Sequence, residues 1–303
     1  MLHREFAIDP ALFRRVEDLQ VLDGRFGFDH GAMISRFPKD WYAQVVEGLK
    51  AQLTDKQVDT ISDPLKWIKD NMLVAMGRDY EGESWPVSAS YSHYERPFHR
   101  VLSEGLDDAP IFLKHWDQLS PNDFEVDPLA KRTAESISSL SEMLLYAAER
   151  VTLVDPYARI TDRGFRKTLK ELMGKCRKAH VSFTVISENV PDGDRDYAKH
   201  GWELKGLPAI EQFKRDVPEN ITLKWLSLDD GGTGELHDRF IFTSKGGILF
   251  GRSVSEPAAL DQKEASFSIN LMSSAQLDIY SKQFNEYQMS EPFKLVRPVW
   301  SSR

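Results

Sequence analysis

The sequence has a single cysteine and no long apolar run. Cys176 stands alone among 303 residues, which excludes a disulfide within the chain and favours a reducing compartment. No apolar segment approaches the roughly 20 residues that a bilayer crossing requires, and the first residues lack the apolar centre of a secretory signal. We therefore expect a cytoplasmic protein without a transmembrane segment.

Metal-binding patterns are also missing. His93 and His99 lie close together, but their spacing matches no metal-ligand motif, and no cysteine or acidic cluster accompanies them. The sequence therefore predicts no metal site, and no cofactor is expected.

The length of the chain suits two domains of ordinary size. Acidic residues outnumber basic ones over residues 1–140, whereas the two balance over 141–303. Helix-like patches at 41–53 and 64–76, the second with Asp63-Pro64 as its cap and first turn, indicate a mainly helical or mixed domain over residues 1–130. We interpret this acidic, aromatic-rich part as a docking or regulatory domain and residues 131–303 as a second domain.

Residues 131–303 show an α/β pattern in which apolar strand segments alternate with amphipathic helices. Such alternation favours a mostly parallel sheet covered by helices, with a functional site at the carboxyl ends of the strands. The predicted elements are a helix at 134–146, a strand at 151–154, a helix capped by Thr161-Asp162, a strand at 181–186, a helix at 208–217, a strand at 221–228, strands at 237–243, 248–253 and 266–272, and a helix through Leu277, Tyr280, Phe284 and Tyr287.

One stretch carries the chemistry. It reads His237-Asp238-Arg239, followed by Lys245-Gly246-Gly247 and then by Gly251-Arg252-Ser253. On a strand, His237 and Arg239 share a face, and glycines with positive φ in a tight hairpin would bring Arg252 alongside them. A guanidinium group binds two phosphate oxygens at once, and imidazole can attack phosphorus or protonate a leaving group at neutral pH. The pattern therefore favours a phosphodiester ligand.

The same stretch resembles the signature of the phospholipase D superfamily, His-x-Lys-x4-Asp-x6-Gly-Ser-x-Asn, laid over residues 237–254. His237 and Gly251 match it. Arg239 stands in place of Lys, Ser244 of Asp, Arg252 of Ser and Val254 of Asn. It is more similar to the phospholipase D-like domain at the C-terminus of MIT-domain proteins and to bacterial relatives, a resemblance that covers about residues 141–290.

The resemblance implies a phospholipase D-like mixed sheet flanked by helices, a homodimer in which each subunit supplies one His237, and an antiphage-defence setting. It implies catalytic roles for His237, Arg239 and Glu264, with Glu264 orienting the histidine. Asp155 and Glu188, at predicted strand ends, are further candidates. The residues that would bind phosphate are Gly251, Arg252, Ser253 and Asn270.

A basic face on the predicted helix after Asp162 is the best surface for nucleic acid or anionic lipid. It carries Arg163, Arg166, Lys167 and Lys170. Two interpretations stay open. The protein is a metal-independent phosphodiesterase, most plausibly a nuclease, or it is a degenerate subunit of a larger assembly that binds phosphate, nucleic acid or lipid without turnover.

Overall fold

The chain forms two compact units, an N-terminal unit of Met1–Val126 and a C-terminal unit of Asp127–Arg303. The computed structural model describes residues 2–106, 110–189, 202–284 and 293–303. The predicted division after residue 130 falls within a short strand, Leu129–Lys131, that pairs with the second sheet. Because of this pairing, the residues around the strand belong to the C-terminal unit.

The N-terminal unit is built on a parallel sheet in the order β3-β2-β1-β4-β5. Its central strand β1 is almost wholly buried, as expected when helices cover both faces of a parallel sheet. The strands are β1 (Arg4–Ile8), β2 (Ala32–Ser35), β3 (Leu73–Val74), β4 (Arg100–Leu102) and β5 (Phe112–Leu113). The helices are α1 (Val16–Gln20), α2 (Trp41–Lys50), α3 (Asp55–Asn71) and α4 (Trp85–Glu95).

Helix α3 corrects the prediction that Asp63-Pro64 begins a helix. The helix begins earlier, after Thr54, so Pro64 lies in its interior. A proline there removes one backbone hydrogen bond and costs about 3 kcal/mol. Ile61, Leu65 and Ile68 are buried in the core on one face of the helix, and their burial offsets that cost.

The strand order of the N-terminal unit reverses between β1 and β4, and ligands of open α/β sheets commonly bind at such a point. Here the polar groups that follow the two strands bind each other. Ser103 Oγ donates to Asp9 Oδ2 at 2.6 Å, and Asp9 Oδ1 accepts from the backbone of Ala11. These side chains therefore stabilise the turn after β1.

The C-terminal unit contains a mixed sheet in the order β13-β9-β8-β7-β10-β11-β12-β6. Strands β7, β8 and β9 are parallel, and the remaining pairs are antiparallel. The strands are β6 (Leu129–Lys131), β7 (Arg150–Val154), β8 (Val181–Glu188), β9 (Ile221–Asp229), β10 (Phe240–Phe242), β11 (Gly247–Phe250), β12 (Ser266–Leu271) and β13 (Lys294–Ser301).

Helices cover both faces of this sheet, and the predicted α/β class is confirmed. Phe165 packs edge-on against Trp225 on one face, and Tyr280 stacks on Phe240 at 4.2 Å on the other. The helices are α5 (Ala134–Tyr146), α6 (Arg163–Met173), α7 (Leu207–Phe213), α8 (Leu260–Glu264) and α9 (Ser274–Gln283). Of the predicted elements, Tyr287 lies outside the described residues.

The hairpin that carries the predicted motif differs from expectation in two ways. Strand β10 begins at Phe240, so His237 lies in a turn rather than on the strand. The chain before His237 is irregular because Asp230 Oδ1 accepts from the backbone of Gly232, which has a positive φ, and Asp230 Oδ2 accepts from the backbone of Leu236. Gly247 has no positive φ; a Cβ there would lie 3.0 Å from the carbonyl oxygen of Ile241 and 2.8 Å from the sulfur of Met272, so the position is tightly packed.

Among the described helices, none combines the length and the apolar composition that crossing a membrane requires.

Candidate functional site

An open cleft of about 520 Å³ lies at one edge of the second sheet. The strand register brings its walls together. Phe240 pairs with Val154 on one side and with Leu249 on the other, so the end of β7, the start of β10 and the end of β11 meet at this edge. The walls carry Arg132, Tyr157, Asp162, Arg239, Gln262 and most of the segment 251–258.

The segment that follows β11, residues 251–256, is named the cleft loop here. Asp155, fully buried at the end of β7, fixes its middle. Asp155 Oδ2 accepts from Ser253 Oγ at 2.7 Å and from the backbone of Val254 at 2.9 Å, and Oδ1 accepts from the backbone of Tyr157 at 3.0 Å. Burial raises the pKa of Asp155, and these hydrogen bonds oppose the rise.

Asp162 fixes the next part of the cleft loop. Its Oδ2 accepts from Ser255 Oγ at 2.6 Å, while its Oδ1 caps helix α6 by accepting from the backbone of Gly164 at 2.8 Å. Gly164 has no room for a side chain, because a Cβ there would overlap the carbonyl oxygen of Glu256. The start of α6 therefore packs directly on the backbone of the cleft loop.

Glu256 fixes the end of the cleft loop. Its buried carboxylate accepts from Lys167 Nζ at 2.9 Å, from Lys263 Nζ at 2.7 Å and from the backbone of Ala134 at 2.9 Å. Burial alone would raise the pKa of Glu256, but these three donors lower it to about 2. The acids that border the cleft thus bind groups of the protein itself.

The arginines of the cleft have no such partners. Arg132 Nε donates to the carbonyl oxygen of Ser253 at 3.3 Å, and no carboxylate of the described residues forms an ion pair with Arg132, Arg239 or Arg252. Burial and then the charge of Arg252 lower the pKa of Arg132, and the charges of Asp155 and Asp162, which form no ion pair with it, oppose this. The guanidinium of Arg239 lies over the ring of Tyr157 at 4.6 Å, and its Nε is buried without a hydrogen-bond partner among the described residues.

His237 lies apart from this cleft. Its side chain is 65% exposed, and Nδ1 lies 2.9 Å from Asp238 Oδ1. Asp238 Oδ2 accepts from the hydroxyl of Tyr280 at 2.9 Å. Burial, followed by this hydrogen bond, raises the pKa of Tyr280 to about 12, so the phenol keeps its proton. Because a carboxylate has no proton to donate, Asp238 selects the imidazole tautomer with hydrogen on Nδ1.

The other predicted site residues have varied positions. Gly251 lines the cleft, where a Cβ would overlap Ser268 Oγ, and Ser253 supports Asp155. Asn270 is exposed on β12 opposite Leu249 and does not line the cleft. Glu264 is exposed and pairs with Lys131, so the carboxylate that contacts His237 is Asp238 instead.

The predicted basic face of α6 is partly neutralised. Lys167 pairs with Glu256, and Lys170 pairs with Asp216 at 3.0 Å. Within the described part of the chain, Arg163 and Arg166 have no ion pair, and Arg163 directly follows Asp162 at the cleft. The unpaired charge of this face therefore lies at its end nearest the cleft.

The cleft residues that the sequence did not predict include Arg132, Tyr157, Asp162 as a support for the loop, and Glu256. Arg132 comes from a segment far from the motif in sequence, and the pairing of β6 with β12 brings it near, whereas Glu256 lies just after the motif. The sequence predicted Asp162 as a helix cap, but it did not predict the hydrogen bond of Asp162 with Ser255 of the cleft loop. Among the described residues, no group of three or more His, Cys, Asp or Glu side chains is arranged to hold a metal ion.

No protein-family model matches the chain, and no curated protein matches it either. What the cleft binds is therefore inferred from its geometry and charge.

Proposed function

We propose that the C-terminal unit binds the phosphate group of a phosphodiester in the cleft, as a phospholipase D-like module that has kept an anion site. One observation carries the proposal. Arg132, Arg239 and Arg252 line a single cleft and form no ion pair with a described carboxylate, whereas the neighbouring acids accept hydrogen bonds from internal donors.

The chemistry of guanidinium supports this ligand class. Its planar donors match the oxygens of a phosphate, and such bonds are about twice as strong as neutral hydrogen bonds. The buried Nε of Arg239 has no partner among the described residues, which costs on the order of 1–3 kcal/mol for a buried donor.

Removing Arg252 tests the proposal. Its side chain is exposed and has no internal partner among the described residues, so Arg252→Ala should fold normally. We expect it to weaken binding of anionic probes by about tenfold or more, the loss of one charge-assisted contact. The probes are a single-stranded oligonucleotide, a duplex, and vesicles containing a phosphoinositide, each measured at rising salt concentration.

The exposed Arg215 of the same unit provides a matched control, because Arg215→Ala removes the same charge away from the cleft. If Arg252→Ala and Arg215→Ala bind every probe equally, or if no probe binds the wild type, the cleft is not a phosphate site.

A second candidate function, metal-independent phosphodiester hydrolysis in a homodimer, is favoured by the contact between His237 and Asp238. With Nδ1 donating to Asp238, the lone pair of Nε2 is available to attack phosphorus. The bond to one ester oxygen then breaks, and the partner subunit's His237 protonates that oxygen. The partner subunit's His237 then deprotonates a water molecule, and this water attacks phosphorus and displaces the first His237 from the phosphohistidine.

Hydrolysis of single- and double-stranded DNA and RNA in EDTA tests this second candidate. Activity should disappear in His237→Ala and fall in Asp238→Asn, which keeps the size of the side chain but removes its charge. Binding without hydrolysis by the wild type would reject it and leave the binding module.

A further inference from the structure

Tyr157 is an exposed aromatic ring on the wall of the cleft. The residue is 53% exposed, although its backbone N–H is bound to the buried Asp155 at 3.0 Å. The guanidinium of Arg239 lies over the ring, with Cζ 4.6 Å from the ring centre. The ring is therefore fixed at its backbone and contacted by a cation, while much of its surface stays open to the cleft.

A single exposed tyrosine is common on protein surfaces and needs no explanation. Tyr157 differs because it contacts one of the arginines without a carboxylate partner and lines the same cleft as Arg132 and Arg252. A ligand that fills such a cleft offers both a phosphate and a flat ring close to it. A nucleotide has this combination, whereas the head group of a phosphoinositide has phosphates on a non-aromatic ring.

We propose that the cleft binds single-stranded nucleic acid, with one base stacked on Tyr157 and an adjacent phosphate bound by Arg132, Arg239 and Arg252. This inference rests on the proposed phosphate-binding function. Stacking on aromatic side chains is how sequence-tolerant proteins hold single strands, because every base has a flat face. A duplex keeps its bases stacked on each other and does not present one to Tyr157.

The basic side chains beyond the cleft extend the site along a strand. Asp162 lines the cleft, and helix α6 starts at the next residue with Arg163, followed one turn later by Arg166. Neither arginine forms an ion pair with a described residue. They lie where further phosphates of a strand bound in the cleft would pass, and such contacts add affinity that falls with salt.

Fluorescence anisotropy with the full chain tests the inference. The probes are a labelled single-stranded oligonucleotide, an abasic oligonucleotide with the same phosphodiester backbone, the corresponding duplex, and phosphoinositide vesicles as competitor. Tyr157→Ala should weaken binding of the base-bearing strand about 5- to 150-fold, the range for loss of one stacked base, and leave the abasic strand unaffected within about twofold. Tyr157→Phe should bind like the wild type.

Tyr94→Ala is the matched control, since Tyr94 is exposed to 81% in the N-terminal unit. Equal loss of both strands in Tyr157→Ala would mean that the ring only positions Arg239, which overturns the stacking but keeps the phosphate site. Vesicle binding without strand binding, tighter binding of the duplex, or equal affinity of the wild type for both strands would also overturn the inference. Insensitivity of every probe to Arg252→Ala would overturn the proposed function as well.

Discussion

Replacing Glu256 with glutamine tests whether a buried carboxylate fixes the cleft loop. The side chain of Glu256 is only 6% exposed, and it accepts from Lys167, Lys263 and the backbone of Ala134. Burial would raise its pKa, but these donors lower the pKa from 4.5 to about 2. The native state therefore stabilises the ionised carboxylate of Glu256 more than the unfolded chain does.

The size of the effect follows from this pKa. A fall from 4.5 to about 2 corresponds to roughly 3 kcal/mol of native stability. The side chain of Lys167 is 56% exposed, and solvent screening reduces the value. Glutamine still accepts from Ala134 but forms no ion pair. We therefore expect Glu256→Gln to lower the free energy of unfolding by about 2 kcal/mol at pH 7.

The pH dependence gives the sharper test. Because the pKa is lowered in the native state, the stability from Glu256 is full above pH 4.5 and is lost as the pH falls towards about 2. In urea unfolding followed by far-UV circular dichroism, the difference between wild type and Glu256→Gln should shrink from pH 5 to pH 3. The control is Glu264→Gln, which loses an exposed pair with Lys131 and should cost less than about 1 kcal/mol. A difference near zero at pH 7, or one independent of pH, would refute the reasoning.

Three further perturbations test the two units separately. Burial lowers the pKa of His99 to about 4, so between pH 6.5 and pH 4 the unfolded chain binds a proton that the native state does not. Lowering the pH from 7 to 4 should therefore reduce the free energy of unfolding by about 1–2 kcal/mol after screening, and urea titrations at the two pH values should show that His99→Gln abolishes this loss. Arg78→Met leaves the buried Glu5 with only Ser35 Oγ and the more distant Arg96 as partners and should lower the unfolding free energy by about 3 kcal/mol. Arg14→Met breaks an exposed pair with Glu104 and should cost less than about 1 kcal/mol by the same assay. Gly164→Ala pushes a Cβ into the carbonyl of Glu256 and should lower the melting temperature and weaken binding in the cleft, with a destabilisation of about 1–3 kcal/mol; unchanged melting would contradict the close packing of α6 on the loop.

In the C-terminal unit, the sequence predicted those elements whose conformation depends on their own local sequence. Helix α5 and strand β9 follow apolar periodicity closely, and the cap at Asp162 was read correctly. Strand β6 was missed because its three residues acquire their conformation only by pairing with β12. In the N-terminal unit, Pro64 suggested a helix start, but the burial of Ile61 and Leu65 overrides that local signal.

Arg239, Gly251, Arg252 and Ser253 of the predicted motif line the cleft, but His237 and Asp238 do not. Alternation on an extended strand would place His237 beside Arg239, and this fails because the turn set by Asp230 continues through Leu236. Arg239 reaches the cleft while Asp238 turns towards Tyr280. Spacing in a motif reports geometry only where the backbone is regular, and the residues before β10 are not.

The residues of the cleft form two groups: those that hold its structure and those proposed to bind the ligand. Asp155, Asp162 and Glu256 hold the cleft loop through internal hydrogen bonds, so replacing them should reduce stability first and binding as a consequence. The arginines contribute little internal bonding. Burial lowers the pKa of Arg132 and the charge of Arg252 lowers it further, against the opposing charges of Asp155 and Asp162, so the two arginines repel each other. An anion bound between them relieves that repulsion, as sites kept for binding at the expense of stability commonly require. Arg252→Ala should therefore leave the melting temperature of the free protein unchanged or slightly raised, and it should reduce the increase that a bound phosphodiester gives to the wild type.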